Sequence, residues 1–457
     1  MINSSLSRRS LLGGLAVAGA VGLGLTGCGA PGGNAGGSDR TSAYKQADVD
    51  VPQQYQGRTV VLFWSPWTGD PFAAIGEMCR RFNESQSDIV VVTESMAGYE
   101  QLNQKLTAGL QARAVPDIVA FPELQWLQFH FNGVFAELDP YFTDTWNLSV
   151  YMDEYVKEGM AGGKTYLVPF ARSTPLFYFN KNAYAKAGLP ETGPRTWNQL
   201  AEFAPELAKV QVSGKPLKAM AFSAKDSWPG QAGIWAFGGN YSRDWTITIG
   251  DEPGISWLEW QRAFIHQSGF GYLAKDAPVD FSTGLAAGCH QSTAALADIT
   301  KQSKFDVGAA FMLGQQTEQT NCPTGGSGLS VVKSDSEERQ AAAVEFLKFC
   351  ADPEIAAFWH KATGYVPIVK ASHDTATVKN LVKQNPNYQV ALQQLKNART
   401  ADQIGWFQSG ALDISAAMAR VYGDNVPAAT AIGEVAPKLQ KVFDDNRSRV
   451  EKAGVSV

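Results

Sequence analysis

The chain has 457 residues, which is room for two or three domains of ordinary size. Hydrophobic residues make up 44% of it and aromatic residues 11%, so it can bury a sizeable core. Charged residues make up only 18%, the net charge is -5 and there is no long basic run. This composition argues against the basic surface that nucleic-acid binding needs, and we expect no nucleic-acid partner.

The N-terminus has the pattern of an export signal. Arg8 and Arg9 lie in Ser-Arg-Arg-Ser-Leu-Leu, which resembles a twin-arginine signal, and an apolar run follows over Leu11–Leu25. The run ends in Leu25-Thr26-Gly27-Cys28, which resembles a bacterial lipobox. We therefore predict a signal peptide over residues 1–28 and a lipid on the Cys28 thiol. The motif leaves open whether export follows the twin-arginine or the general secretory route.

The next segment predicts a flexible tether over residues 29–56. Its first part is rich in Gly, Pro, Asn and Ser, a composition that cannot bury enough apolar surface to fold. A lipid anchor followed by a tether places the folded part outside the cytoplasm, at the outer face of the cytoplasmic membrane or in the cell envelope.

Strands and helices alternate from about Gly57. Apolar runs predict strands at 60–64, 89–92 and 116–120, and helical spacing of apolar residues predicts helices between and after them. This alternation predicts a largely parallel sheet covered by helices, with ligands bound beyond the carboxyl ends of the strands. The loops at those ends contain residues 64–70, Tyr99 and Glu123.

The stretch 164–181 joins two strand-like runs through a short polar step, Arg172-Ser173-Thr174. This pattern suits a segment that leaves one sheet and enters another, where small hydroxyls can face a ligand. An ordinary β-hairpin edge would look the same.

Beyond this step we predict helices at 183–187 and 197–210, a helix from about Gln291 with Ser292 near its start, and a strand at 305–311. The segment Cys322–Gly328 is glycine-rich, so it can bring a backbone N–H close to a ligand, although a plain turn is equally compatible. The remainder, to Val457, is predicted to be mostly helical.

The sequence has no pattern of catalytic or metal-binding residues. It contains no His-x-x-x-His, Cys-x-x-Cys, Gly-x-Ser-x-Gly or P-loop motif, so we expect no metal, no cofactor and no enzymatic activity. Four cysteines follow Cys28 and allow three disulfide connectivities, one of which contains a Cys289–Cys322 bridge. The sequence leaves the pairing of Cys79, Cys289, Cys322 and Cys350 open.

Three segments carry a family resemblance: Pro169–Lys181, Trp235–Gly239 with the following Tyr241, Ser242 and Trp245, and Cys322–Leu329. They resemble the extracellular solute-binding proteins of ABC importers, and most closely those that bind glycerol-3-phosphate and glycerophosphodiesters. The resemblance implies a two-lobed α/β fold of the periplasmic-binding-protein type II kind, with the ligand in the cleft between lobes that close by a hinge. It implies a first lobe of 57–171 plus 328–363 and a second of 172–327 plus 364–457.

The resemblance also implies the ligand-binding residues. Their types fit a polyol phosphate, with hydroxyl and N–H donors for the phosphate, a carboxylate for hydroxyls and an aromatic wall. They are Tyr99, Glu123, Ser173, Trp228, Ser292, Gly326 and Tyr365.

Two positions depart from the family pattern. Gly405 stands where several relatives have an Arg, and Lys225 stands where they tend to have an apolar or aromatic residue. We predict that Lys225 also binds the ligand and pairs with its phosphate. The alternative is that Lys225 reaches solvent or pairs with Asp226.

The predicted function is capture of a glycerophosphodiester or glycerol-3-phosphate for delivery to ABC permease subunits, by a monomer. A neutral sugar or oligosaccharide as ligand is the first alternative, and a secreted hydrolase lipoprotein is the remote one.

The predicted lipid anchor can be tested by a substitution at Cys28. Cys28→Ala removes the thiol that would carry the lipid, and it should leave folding intact while moving the protein from the membrane fraction to the soluble fraction. Immunoblots of carbonate-washed membranes measure this. Retention of the variant on the washed membranes would contradict the anchor.

Overall fold

The computed structural model describes residues 44–122, 125–318 and 321–455. The predicted signal peptide, Cys28, residues 29–43 of the predicted tether and Glu123 lie outside the described residues. The rest of the predicted tether belongs to the folded part, because Tyr44 is buried in a core cluster and Lys45–Gln46 pairs with Ala114–Val115. No helix of the described ranges has the length and apolar character needed to cross a membrane.

The first sheet has five strands: β1 (Thr59–Ser65), β2 (Ile89–Ser95), β3 (Ile118–Pro122), β4 (Val168–Ser173) and β10 (Gly325–Val331). Their order is β2-β1-β3-β10-β4. β1 runs parallel to β2 and β3, whereas β10 runs antiparallel to both β3 and β4. Residues alternate between two buried faces. Val61 and Phe63 pack in one core cluster, and Leu62 and Trp64 pack in the other.

The second sheet repeats this plan with β5 (Pro175–Asn180), β6 (Met220–Ser223), β7 (Gly271–Ala274), β8 (Gly288–Ser292) and β9 (Val307–Ala310). Their order is β7-β6-β8-β5-β9. β6 is parallel to β7 and β8, and β5 is antiparallel to β8 and β9. Both faces of β5 are again buried, in separate clusters.

Helices cover both sheets. The longer ones are α1 (Gly69–Ser85), α2 (Tyr99–Ala112), α3 (Trp197–Lys209), α4 (Ser227–Ala236), α5 (Glu252–Arg262), α6 (Glu337–Cys350), α7 (Pro353–Thr363), α8 (Ala376–Gln384), α9 (Asn387–Gln394), α10 (Gln408–Gly423) and α11 (Ala428–Lys452). Shorter α-helices are Leu127–His130, Asp153–Val156, Lys181–Lys186, Ala277–Ser282 and Leu296–Gln302. The two-lobed α/β architecture expected from the sequence is confirmed.

The chain passes between the sheets through very short connections. β4 ends at Ser173 and β5 begins at Pro175, so the buried Thr174 alone joins the first sheet to the second. The return crossing follows β9 and enters the first sheet at Gly325. The resemblance assigned residues 364–457 to the second lobe. Within that segment, however, Tyr365, Trp406 and Val450 pack in core clusters of the first sheet.

The helix predicted from about Gln291 begins two residues later. Gln291 and Ser292 close the strand β8, because residues 288–292 pair along β5. Ser292 is the N-cap of the 3-10 turn Thr293–Ala295, which continues into the α-helix Leu296–Gln302.

The four cysteines in the described part of the chain are buried free thiols. Cys289 and Cys322 lie in different core clusters, whereas Cys79 and Cys350 share one.

A buried ion pair joins the two crossings. The Arg172 guanidinium donates to a Glu158 carboxylate oxygen, and each side chain is only 1% exposed. The second Glu158 oxygen accepts from Thr324 Oγ1 at 2.5 Å. Arg172 precedes the first crossing, and Thr324 precedes the strand at which the second crossing ends. One carboxylate therefore forms hydrogen bonds at both crossings.

Removing that carboxylate should be costly. Glu158→Leu leaves the Arg172 charge buried without a partner, and we expect a loss of about 3–5 kcal/mol in the free energy of unfolding. Urea unfolding measures it.

The control is the double variant Arg172→Met/Glu158→Leu, which removes both charges and should recover at least half of the loss, because a buried apolar pair needs no charge partner. Equal stability of single variant and wild type would contradict a structural role for the pair.

Candidate ligand site

A cavity of about 390 Å³ lies between the two sheets. Its volume falls in the range of small-molecule sites. We call it the central cavity. It is lined by Tyr99, Pro122, Gln125, Ser173, Ser227, Trp228, Gln231, Tyr241, Ser292, Gly326, Tyr365, Ala401, Gly405, Gln408, Ala411, Leu412 and Ile414. The structure therefore brings six of the predicted ligand residues, Tyr99, Ser173, Trp228, Ser292, Gly326 and Tyr365, into one cavity.

Trp228 is fixed as an aromatic wall by the second crossing. Its indole Nε1 donates to the Thr324 carbonyl at 2.8 Å. The ring lies so close to Gly325 that a side chain at that position would overlap it. The half-buried indole thus presents one surface to the cavity in a fixed orientation.

Gly326 is required by backbone geometry. Its φ of +82° favours glycine, and a Cβ there would overlap the Ala171 carbonyl of the neighbouring strand. Because Gly326 also lines the cavity, its side-chain-free backbone is open to a close approach by a ligand.

Two hydroxyl groups are oriented by hydrogen bonds. Ser292 Oγ accepts from the Ala294 N–H at 3.1 Å, so its own hydrogen is directed elsewhere. Tyr365 Oη accepts from Trp67 Nε1 at 3.2 Å, and the Tyr365 ring stacks on Trp359 at 5.7 Å between centroids. Both groups sit on rigid supports.

Three helices begin at the central cavity. Tyr99, Ser227 and Gln408 are the first residues of α2, α4 and α10, and all three line it. None of these helices has a side chain that caps its first turn by a hydrogen bond. Uncapped N-termini carry partial positive charge and N–H donors, and therefore favour an anion. Glu100, exposed in the first turn of α2, is the one acidic residue in these three first turns.

No Asp, Glu, Lys, Arg or His is among the described residues that line the cavity. The N–H groups and dipoles of the three helix N-termini are therefore the positive groups that the described lining offers to an anion. Gly405 lines the cavity without filling it, since the space at its missing Cβ holds only Ala401 Cβ, at 3.7 Å.

The structure does not bring Lys225 to the central cavity. Lys225 is exposed and lines a separate cavity of about 450 Å³ with Lys275. The cause is the turn before α4. Asp226 accepts from the Ser223 N–H at 2.9 Å, and this turn directs residues 227 and 228, but not 225, into the central cavity.

Sequence reasoning missed other lining residues. Tyr241 lies in a segment quoted for the family resemblance, and its Oη donates to the Ser227 carbonyl at 2.9 Å, which supports the first turn of α4. Gln231, Gln408 and Leu412 belong to helices without a distinguishing motif, so only the fold shows their place.

Two α/β lobes around a ligand-sized cavity define a two-lobed binding protein, and comparison with known proteins identifies its family. Residues 77–389 match the family model described as bacterial extracellular solute-binding protein. The chain belongs to this family.

Comparisons with individual proteins are consistent with this family. UgpB from Mycobacterium tuberculosis, solved in complex with glycerophosphocholine, superposes with a TM-score of 0.80 and 34% identity, covering 86% of this chain and all (100%) of that one. The sn-glycerol-3-phosphate-binding periplasmic protein UgpB of Escherichia coli K12 is 26% identical over 367 residues, 75% of this chain and 82% of the relative. The cyclic alpha-maltosyl-1,6-maltose binding protein of Arthrobacter globiformis shares the fold, with a TM-score of 0.71 and 20% identity over 85% of this chain and 100% of its own.

The buried Asp226 in the turn before α4 should make the stability of the protein depend on pH. Burial raises the pKa of the Asp226 carboxyl from 3.8 to about 7. Between these values the unfolded chain is ionised at this position while the folded chain is protonated, so this group lowers stability as pH rises from 3.8 to about 7. Asp226→Asn should therefore be more stable than wild type at pH 7.5, by a margin that shrinks at pH 5.

Urea unfolding at the two pH values measures this margin. Asp251→Asn is the control, since it removes an exposed carboxylate at the N-cap of α5. A margin that is the same at both pH values would contradict the buried, protonated Asp226.

Proposed function

We propose that the protein captures a glycerophosphodiester in the central cavity and delivers it to an ABC importer. The observation that carries the proposal is the set of three uncapped helix N-termini at a cavity with no charged side chain among its described residues. Ser173, Ser292, Tyr365 and the backbone of Gly326 are candidates for the directional bonds to the phosphate, and Trp228 for the wall against the glycerol or head group. The relative solved with glycerophosphocholine supports the same ligand class.

The charge of the ligand distinguishes a diester from glycerol-3-phosphate. A phosphodiester carries one negative charge, whereas a phosphate monoester carries nearly two above its second pKa of about 6. Partial charges at helix N-termini suit one charge better than two, because each is worth only about half an elementary charge and falls off within a turn. We therefore favour the diester over the monoester.

A neutral sugar is the second candidate. The uncharged lining and the indole wall of Trp228 would also suit stacking of a sugar ring, for which no ionic partner is needed. The helix N-termini would then have no anionic partner, which is why we place this candidate second.

We further propose that the protein is a monomer held outside the cytoplasm by a lipid on Cys28, and that it does no chemistry on its ligand. The support is the lipobox pattern of the sequence, the family to which the chain belongs and the absence of a nucleophile–base or metal pattern. Permease subunits and the membrane are then its partners.

Calorimetry with glycerophosphocholine, glycerol-3-phosphate and maltose at pH 8 and pH 5.5 tests the ligand. The diester should bind more tightly than the monoester at pH 8. The ratio of the two affinities should move closer to one at pH 5.5, where the monoester is mostly a single anion. The diester and the monoester are compared at the same pH. Titration of Asp226 would change both affinities alike, so it cancels in their ratio.

Tight binding of maltose with no binding of either phosphate would overturn the proposal in favour of the neutral sugar. A monoester that binds as tightly as the diester at pH 8 would overturn the preference for a single charge.

A further inference from the structure

A second cavity adjoins the central one. It measures about 680 Å³ and lies between α2, the short helix at 127–130 and the start of α10. Gln408 and Leu412 line both cavities, so the two meet at these residues. We call the second cavity the side groove.

The side groove has the chemistry of a site for hydroxyl groups. Its lining includes six side-chain amides and two aromatic rings: Asn103, Gln104, Gln111, Gln128, Gln408, Asn446, Phe129 and Phe407. Amides both donate and accept hydrogen bonds, as a polyol requires, and rings cover the apolar faces of sugars. Glu100 is the single charged residue among those described as lining it.

Asn103 has a hydrogen-bonding atom without a partner. The side chain is 7% exposed, and its Nδ2 donates to Gln408 Oε1 at 2.9 Å. Its Oδ1 is buried and accepts from no group in the described parts of the chain. A buried acceptor without a donor lowers stability, so a rotation of the Asn103 side chain that turned Oδ1 towards a ligand donor in the side groove would be favourable.

The border between the two cavities carries an exposed apolar side chain. Leu412 is 53% exposed, one of the few large apolar side chains of the described residues to be so. A ligand that runs from the central cavity into the side groove would cover it and remove that apolar surface from water.

We propose that the side groove is a second subsite, which binds a neutral hydroxyl-rich group attached to the ligand in the central cavity, with Asn103 as its specificity-determining acceptor. Resting on the proposed function, this makes the preferred ligand a glycerophosphodiester whose head group is a polyol or a sugar. An acyl chain would leave the amides buried without partners. An ammonium group has no acceptor role and would leave the amide donors unused.

Calorimetry with three probes tests the subsite: glycerol-3-phosphate, which has no head group, glycerophosphoethanolamine and glycerophosphoinositol. Wild type should bind the inositol diester about tenfold more tightly than the ethanolamine diester. Asn103→Leu should lower the affinity for the inositol diester by about tenfold, the effect of about one well-placed hydrogen bond. It should change the affinity for the other two probes by less than about threefold.

Two further variants keep the result interpretable. Asn103→Asp retains an acceptor oxygen and should preserve the preference for inositol. Asn198→Leu removes an exposed amide on α3 that lines neither cavity, and it should change nothing.

Equal losses for all three probes in Asn103→Leu would overturn the subsite and assign Asn103 to holding Gln408. No loss for the inositol diester would overturn it as well. If wild type binds none of the phosphate probes, the proposed function fails, and the subsite fails with it. Binding of all three without an inositol preference sinks the subsite alone.

Discussion

The ligand site depends on one buried carboxylate. Glu158 pairs with Arg172 and accepts from Thr324, so both crossings between the sheets meet at the same group. Ser173, which lines the central cavity, follows Arg172 in β4. The Arg172 carbonyl accepts from the Val366 N–H at 2.9 Å, and Val366 is the neighbour of Tyr365 in the chain. Thr324 in turn holds the Trp228 indole through its carbonyl. Buried charges add little net stability when paired but cost much when one is removed, so this arrangement specifies geometry more than it adds stability.

The site built on this support uses backbone where a charged side chain would be the simpler choice. Three helices begin at the central cavity without side-chain caps, and the described lining carries no ionised group. A fixed cation would bind any phosphate strongly and would repel a cationic head group. Helix N-termini attract a single negative charge and leave the head group to be selected elsewhere, which is the part that we assign to the side groove. The two cavities thus divide recognition between charge and hydroxyl groups.

The sequence predicted the α/β layers because those signals are local and strong, whereas the two lobes were implied by the family resemblance. Strand and helix alternate with clear periodicity, and the polar step at 172–174 falls where the chain passes from one sheet to the other. Of the eight residues assigned to the ligand, six lie together in the central cavity, and Glu123 lies outside the described residues. Lys225 could not be placed from sequence, because a turn of four residues decides which side chains face the cavity. Ser292 was placed correctly near a helix start, although strand pairing with β5 moves that start to residue 293. Asn103 and Gln408 are 305 positions apart, and only the fold brings their side chains together.

A crystal structure with glycerophosphocholine bound would show which groups hold the phosphate, because it locates the phosphorus atom. We expect the phosphate to lie in the central cavity, within hydrogen-bonding distance of the N-terminal turn of at least one of α2, α4 and α10 and of at least one of Ser173, Ser292 and Gly326. A phosphate found beside Lys225 and Lys275 in the separate cavity, with the central cavity holding only the uncharged part of the ligand or none of it, would contradict the account.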